Sequence, residues 1–326
     1  MIFFRKKEKT GDKDSGKPIK LLFSSDLHAS YVVYRKFLNA GKMYSVDVLV
    51  IGGDLAGKSL KPIVDLGNNK YEIDGVTYDE QGVNKMKKDM ENLGIYYVVM
   101  SKEELEDAKA NPKKQDEYFK LAITRTLREW IGIAEEKYKG LDVPIFVNLG
   151  NDDPEYMFDV LKEGERFKVG EKEIFDLHGH EFFSYGYVNP TPWHTFREKT
   201  EEEIYKELKQ ITDKLTNPHS AIYNIHAPPY MTNLDNAPLL DDNLRPIVKG
   251  GEIQLTHVGS TSIRKIIEET SPLIGLHGHV HESRGFDRIG GSLVLNPGSE
   301  YNSGILHSYL VIIKPDEVQA YQFISG

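Results

Sequence analysis

Five short motifs along the chain carry side chains that bind metal ions in proteins. Together they supply seven oxygen and imidazole donors, and the chain contains no cysteine. Imidazole combined with carboxylate and amide oxygen suits Mn, Fe, Zn or Ni better than Ca or an all-oxygen Mg site. One carboxylate shared between two ions would explain how Asp54 serves so many histidines. The predicted metal ligands are Asp26, His28, Asp54, Asn151, His226, His279 and His281.

Each of these motifs follows a predicted β-strand. The runs IKLLFSS (19–25), VDVLVIGG (46–53) and VPIFVNLG (143–150) are short and aliphatic and lead into polar or glycine residues, which is typical of buried strands. The later runs SAIYNIHA and SPLIGLHGH have the same form. Open α/β sheets place their chemistry beyond the carboxyl ends of their strands. We therefore expect the motifs to lie side by side at strand ends, with a crossover helix over 30–43.

A long segment, residues 57–143, separates the second predicted strand from the third. It exceeds the length of a single connection, so we predict an inserted hairpin and helical subdomain within one domain over 19–326. Asp74-Gly75 marks the hairpin turn between two alternating runs. The insert is also predicted to contain a strand over 95–101, a helix over 82–93 before it and a long helix over 112–138. Between the strand and the long helix, Ser101 and Glu104 have capping-box spacing and predict a further helix start.

The second half of the chain predicts a second set of strands. Residues 172–188 alternate as antiparallel strands do, and 189–200 form a loop that Pro190 and Pro192 stiffen. Thr200 and Glu203 have the spacing that caps a helix, which we place up to about residue 215.

The composition is that of a globular, soluble protein, with 39% hydrophobic and 28% charged residues. A formal net charge of -9 disfavours duplex nucleic acid as a partner, because such binding needs a basic face. No apolar run is long enough to span a bilayer or to serve as a signal peptide. We expect a cytoplasmic chain with no membrane partner and a flexible, charged lead over residues 1–18.

The ordered series Asp-x-His, Gly-Asp, Gly-Asn-Asp, His and Gly-His-x-His resembles the calcineurin-like metallophosphoesterase superfamily, over about residues 19–315. Four segments between the motifs are similar to an uncharacterised archaeal and bacterial branch of it: YVNPTPWHTFRE (187–198), HAPPYMTNLDNAPLLDDNL (226–244), HVGSTSIRKIIE (257–268) and LNPGSEYNSG (295–304). The resemblance implies an α/β (α+β) fold, the four-layer αββα sandwich of two mixed β-sheets flanked by helices that is called the metallo-dependent phosphatase fold.

The resemblance also implies a role for each ligand. It assigns Asp26, His28 and His281 to the first divalent ion, Asn151, His226 and His279 to the second, and Asp54 to both. A hydroxide bridging the two ions would attack the phosphate in line with the leaving group. Asn151 and His226 would contact the phosphate as well as the metal, which makes them catalytic candidates.

Asp152 departs from the commoner family pattern. Many members have a histidine after the Gly-Asn pair, and that histidine is assigned to protonating the leaving group or stabilising its charge. Asp152 could act as a general acid only if its pKa were raised well above about 3.9, for which a neighbour such as Asp153 offers a cause. We predict altered help to the leaving group and a preference for esters whose leaving groups have low pKa. Simple turn chemistry is the alternative.

Three further residues are candidates for substrate binding. Gly259 and Ser260 open a predicted helix, so His257 and Arg264 could contact an anion there; an ordinary helix cap is the alternative. Trp193 lies in the Pro-stiffened loop and could cover the site, or else it anchors the core.

These observations favour hydrolysis of a small, nucleotide-like or sugar phosphate ester by a phosphodiesterase or phosphatase. A nuclease is an alternative, because the same two-metal chemistry cleaves DNA or RNA. A protein-binding scaffold without activity is a second alternative, although a scaffold has no need of all seven ligands. The sequence leaves the native metals and the oligomeric state open.

Overall fold

A computed structural model describes residues 17–326. Most of the predicted lead, residues 1–16, lies outside the described residues. The strands are β1 (Ile19–Ser24), β2 (Val48–Ile51), β3 (Ser59–Gly67), β4 (Lys70–Ile73), β5 (Val76–Asp79), β6 (Ile95–Met100), β7 (Ile145–Val147), β8 (Phe167–Val169), β9 (Ile174–Leu177), β10 (His180–Tyr185), β11 (Ile222–Ile225), β12 (Asn236–Pro238), β13 (Val248–Lys249), β14 (Glu252–Ile253), β15 (Leu255–His257), β16 (Ile274–Leu276), β17 (Gly285–Ile289), β18 (Ser292–Asn296), β19 (His307–Lys314) and β20 (Glu317–Ser325). The helices are α1 (Tyr31–Met43), α2 (Glu80–Asn92), α3 (Lys102–Ala110), α4 (Pro112–Lys137), α5 (Met157–Leu161), α6 (Glu201–Thr212) and α7 (Thr261–Thr270).

Two six-stranded mixed sheets form the centre of the molecule. The first has the order β20-β19-β1-β2-β7-β8, and the second has the order β17-β18-β16-β11-β10-β9. Strands β1, β2 and β7 run parallel, as do β10, β11, β16 and β18. The carboxyl ends of neighbouring strands therefore lie at the same edge of each sheet, where the predicted ligand motifs follow them.

The alternation of side chains along β1 shows how the layers are held together. Leu21 and Phe23 join the apolar core between the two sheets, whereas Leu22 joins the core between the first sheet and helices α1 and α4. On the outer face of the second sheet, residues of β10 and β11 pack against α6 and α7. The order of layers is thus helices, sheet, sheet, helices, and the predicted four-layer αββα sandwich is confirmed.

Residues 57–143 include a third, four-stranded sheet of order β5-β4-β3-β6 with its own small core of Ile63, Ile73, Val83 and Met90. The hairpin at Asp74-Gly75 is confirmed, since β4 and β5 pair antiparallel across it. Strand β3 was not predicted. Pro62 interrupts its pattern, yet β3 pairs with β6 and with β4.

Both predicted capping boxes are present at helix starts. Ser101 with Glu104 and Thr200 with Glu203 both form complete capping boxes, at α3 and α6. Helix α6 ends at Thr212, about a turn before its predicted end. Within residues 17–326, no helix combines the length and the apolar character that crossing a bilayer requires.

Candidate metal centre

The ligand motifs meet where strands of both sheets end. Asp26, Asp54 and Asn151 follow β1, β2 and β7 of the first sheet, and His226 and His279 follow β11 and β16 of the second. The turns are joined directly by backbone hydrogen bonds: Asp26 N donates to Gly53 O at 3.0 Å, and Gly278 N donates to His226 O at 2.9 Å. The site is therefore built by the central sandwich and not by a single loop.

The first group of donors consists of Asp26, His28, Asp54 and His281, each of which offers an atom within 4.8 Å of the others. The Nε2 atoms of His28 and His281 are 3.1 Å apart, and His281 Nε2 lies 3.3 Å from Asp26 Oδ1. His28 Nε2 lies 3.8 Å from Asp54 Oδ2. Metal bonds of about 2.0–2.2 Å to imidazole and carboxylate could join donors at this spacing through one ion.

The second group consists of Asp54, His226 and His279. His226 Nε2 lies 3.4 Å from Asp54 Oδ1 and 3.2 Å from Asn151 Oδ1. Asn151 uses its amide nitrogen elsewhere, in bonds to Asp152 and Thr195, so its oxygen is the atom that faces the cluster. The two oxygens of Asp54 face different groups, which is the arrangement of a carboxylate that bridges two ions.

Backbone carbonyls orient two of the imidazoles. His28 Nδ1 lies 3.0 Å from Ala56 O, and His226 Nδ1 lies 3.2 Å from Gly52 O. A carbonyl only accepts, so each Nδ1 carries a proton and each ring turns its Nε2 towards the cluster, where Nε2 offers a lone pair whenever the ring is neutral. Both rings are fully buried, and their orientation is set before any ion binds.

The electrostatics of the cluster favour a bound cation. Burial lowers the pKa of His28 to about 3 and that of His279 to about 4, so these rings are neutral near pH 7. Burial also opposes charge on His226, but Asp54 and Asp26 outweigh it and raise the pKa of His226 to about 9. A proton on His226 thus offsets the buried carboxylates, and a divalent ion would take over that role. The donor set fits the predicted divalent metals.

Two glycines let the motif backbones approach the carboxylates. A Cβ atom at Gly150 would lie 2.1 Å from Asp54 Oδ1, and one at Gly278 would lie 2.4 Å from Asp26 Oδ2. The ligands themselves take up strained backbone, with φ of 58° at Asp26, 50° at Asp54 and 68° at His279. These sharp turns aim consecutive motif residues into one small volume.

Asp152 and Asp153 occupy different environments. Asp153 is buried and accepts hydrogen bonds from the backbone of Leu55, Ala56 and Gly150, so it joins two ligand turns. The backbone N of Asp152 donates to Asp54 Oδ1 at 3.0 Å. Burial and then Asp54 raise the pKa of Asp152, and Lys58 opposes them. The carboxylate that raises this pKa is Asp54 and not Asp153, because Asp153 is turned into the backbone of the neighbouring turns.

Lys58 is a site residue that sequence reasoning missed. Its Nζ lies 2.8 Å from Asp152 Oδ2, and its side chain is half exposed. Burial lowers the pKa of Lys58, but Asp152 and Asp54 outweigh that effect and raise it, so the amine is charged. The only local signal was its position four residues after Asp54, in the run Gly-Asp-Leu-Ala-Gly-Lys.

The Pro-stiffened loop reaches the cluster through Thr195, whose Oγ1 lies 3.2 Å from Asn151 Nδ2. Trp193 in the same loop is 63% exposed, so its interpretation as a core anchor is wrong. The indole ring of Trp193 lies on the surface because Arg197, which is 1% exposed, occupies the buried position of this loop. A covering role for Trp193 stays a prediction.

His257 and Arg264 make contacts within their own part of the fold. His257 Nδ1 lies 2.8 Å from Asp235 Oδ1. Arg264 donates to the carbonyls of Tyr230 and Met231 and to Glu268. Ser260 caps α7 by accepting a hydrogen bond from Ile263 N, which agrees with the alternative interpretation of this segment as an ordinary helix cap. These contacts stabilise the local fold around His257 and Arg264. Substrate binding by these two residues stays a prediction.

Comparison with known proteins supports the fold. No protein-family model matches the chain. The uncharacterised protein MJ1162 of Methanocaldococcus jannaschii is 38% identical over 143 residues, a match that spans 43% of this chain and 58% of that protein. Of the solved structures, TT1561 of Thermus thermophilus aligns over 95% of this chain and 99% of its own, at a TM-score of 0.53 and 14% identity. A second solved structure aligns over 94% of this chain and 98% of its own chain, at a TM-score of 0.56 and 16% identity.

The described chain shares its overall fold with these solved structures, and the predicted four-layer αββα sandwich is confirmed. The resemblance to calcineurin-like metallophosphoesterases rests on the motifs of the sequence. The likeness to solved structures rests on shape, because the sequence identities are low. What the chain does must therefore be argued from its own site.

Proposed function

We propose that this protein hydrolyses a small phosphate ester at a two-metal centre. The observation that carries the proposal is Asp54, whose two buried oxygens face two separate sets of imidazole donors. Asp26, His28 and His281 would hold one ion with Asp54, and Asn151, His226 and His279 would hold the other. Two such ions supply an activated water and stabilise charge on the attacking and leaving oxygens of an in-line displacement.

The protein's own groups would position the ester. Asn151 and His226 lie together at the second set of donors, where they can contact phosphate as well as metal. Lys58 adds a positive charge on the open side of the site, and its pairing with Asp152 orients the ammonium. Lys58 can then take up negative charge on the leaving oxygen, a task that the commoner histidine would have at the position of Asp152. General acid catalysis by Asp152 stays a prediction.

The test is a screen of the metal-reconstituted protein against phosphomonoesters, cyclic and linear phosphodiesters, and oligonucleotides. Asp54→Ala and His226→Ala should abolish the activity that the screen finds. His219→Ala is the matched control, since it removes an exposed imidazole that precedes β11, whereas the ligand His226 follows the other end of that strand. Activity that survives both ligand substitutions would contradict the proposal, and activity confined to oligonucleotides would favour the nuclease alternative.

A further inference from the structure

A cavity of about 500 Å³ lies beside the candidate metal centre, between the inserted segment and the Pro-stiffened loop. Helix α4 forms one wall, and the turn after Asp152 and the loop form the others. Lys58 and Asp152 stand on its polar side. The remaining walls are mainly apolar and are formed by Phe119, Ile123, Pro154, Tyr156 and Phe196.

We propose that this cavity binds a planar aromatic group of the phosphate ester, such as a nucleobase or an aryl ring. The inference rests on the proposed function and adds the class of substituent that the site selects. It assigns the selectivity to Phe196 and to the part of α4 that carries Phe119 and Ile123.

Phe196 is an exposed ring on a firmly held backbone. Its side chain is 76% exposed, yet the next residue, Arg197, is buried against the rings of Tyr187 and Phe158, at 4.3 Å and 5.5 Å from their centroids. Arg197 also pairs with Glu171. An apolar ring held in water by a buried neighbour costs free energy that a bound apolar group would recover.

A second clamp fixes the same loop. Glu198 accepts hydrogen bonds from the backbone N and the hydroxyl of both Thr191 and Thr195. Thr195 in turn contacts Asn151, a predicted metal ligand, at 3.2 Å. The backbone that carries Phe196 is therefore fixed relative to the cluster by two bonded steps, and preorganisation of this kind lowers the entropic cost of binding.

The cavity is joined to the reacting centre by residues that belong to both. Asp152 lines the cavity, while its backbone N is bonded to Asp54 at 3.0 Å. Lys58 also lines the cavity and pairs with Asp152. An ester whose phosphate lies on the cluster thus places one of its substituents at the cavity entrance. The Lys58 ammonium then lies near the bond that joins this substituent to the phosphate.

The shape and chemistry of the walls favour an aromatic occupant. The volume lies within the range of about 300–1,000 Å³ for sites that bind small molecules. The phenyl and phenol rings of the walls suit offset or edge-to-face contacts with a planar ring. The acidic side chain of Asp116 at the rim could accept hydrogen bonds from N–H groups of a base.

Two nonhydrolysable phosphonates test this inference without any turnover. The full chain is reconstituted with Mn²⁺ and titrated with phenylphosphonate and with methylphosphonate in a calorimeter. Both probes share the contacts of the phosphonate with the metal centre, so the ratio of their affinities isolates the ring. We expect phenylphosphonate to bind about tenfold more tightly.

Three variants locate the effect. Phe196→Ala should bring the ratio of affinities close to one, and Phe196→Tyr should restore most of it. Phe196 is exposed, so these changes do not threaten the core. Phe286→Ala is the matched control, because Phe286 is a half-exposed ring on β17 that makes an edge contact with Tyr321, and its loss should leave the ratio intact.

The possible outcomes separate the inference from the function beneath it. If methylphosphonate binds and phenylphosphonate binds no more tightly, the inference is wrong and the proposed function stands. The same holds if Phe286→Ala lowers the ratio as much as Phe196→Ala does. If neither phosphonate binds to the metal-loaded protein, the inference falls together with the proposed function.

Discussion

The metal cluster and the aromatic cavity beside it are built in different ways. The cluster is formed at the strand ends of both central sheets, its carboxylates are buried, and backbone carbonyls fix two of its imidazoles. The cavity is formed by α4 and the loop over 189–200, and its most prominent ring is open to solvent. The difference teaches that, under the two proposals, the chemistry would belong to the central sandwich and the selectivity to the segments around it.

Crowding the cluster should have the largest effect. Gly150→Ala would place a Cβ atom 2.1 Å from Asp54 Oδ1, so either the carboxylate or the turn must move. We expect metal affinity and activity to fall by about a hundredfold, the upper range for displaced partners of metal ligands. The measurement is kcat/KM at several Mn²⁺ concentrations. Gly132→Ala, in an open position on α4, is the control, and equal losses in both variants would contradict the account.

The acidity of the cluster gives a second prediction. The pKa of His226 is raised to about 9 without metal, so the ring holds a proton at pH 7 that a metal must displace. Metal binding should release this proton, and the apparent affinity should fall by about tenfold for each pH unit below 9. Calorimetric titration at pH 7 in two buffers of different ionisation enthalpy measures the proton release. An enthalpy of binding that is identical in both buffers, after dilution is subtracted, would refute it.

A change on the boundary between the two regions should have a smaller effect. Lys58→Ala removes a charge that lies beside both the cluster and the cavity. Because the ammonium is half exposed, solvent screens it, and we expect a loss of about fivefold in kcat/KM for esters with good leaving groups. The loss should grow as the pKa of the leaving group rises, because Lys58 would stabilise the charge that develops there. Lys58→Arg is the control that keeps the charge, and a loss independent of the leaving group would assign Lys58 a structural role only.

The contrast between the two regions also explains what the sequence could predict. The ligands follow strands with strong local patterns, so the sequence alone places Asp26, Asp54 and His226 at strand ends. Lys58 and Phe196 carry no such pattern. Their importance depends on how the insert and the loop fold against Asp152, and those are tertiary contacts that local spacing does not encode. Trp193 illustrates the limit, since Arg197 and not the tryptophan fills the buried position.

The central claim is that one carboxylate joins two ions, and the most direct test is metal content. The chain is loaded with Mn²⁺ or Zn²⁺, freed of unbound metal by gel filtration, and analysed for metal per chain beside Asp54→Ala and the control His219→Ala. The account predicts about two ions in the wild-type chain and in the control, and a loss of at least one in Asp54→Ala. A wild-type chain that retains no ion, or an Asp54→Ala variant that retains both, would contradict it.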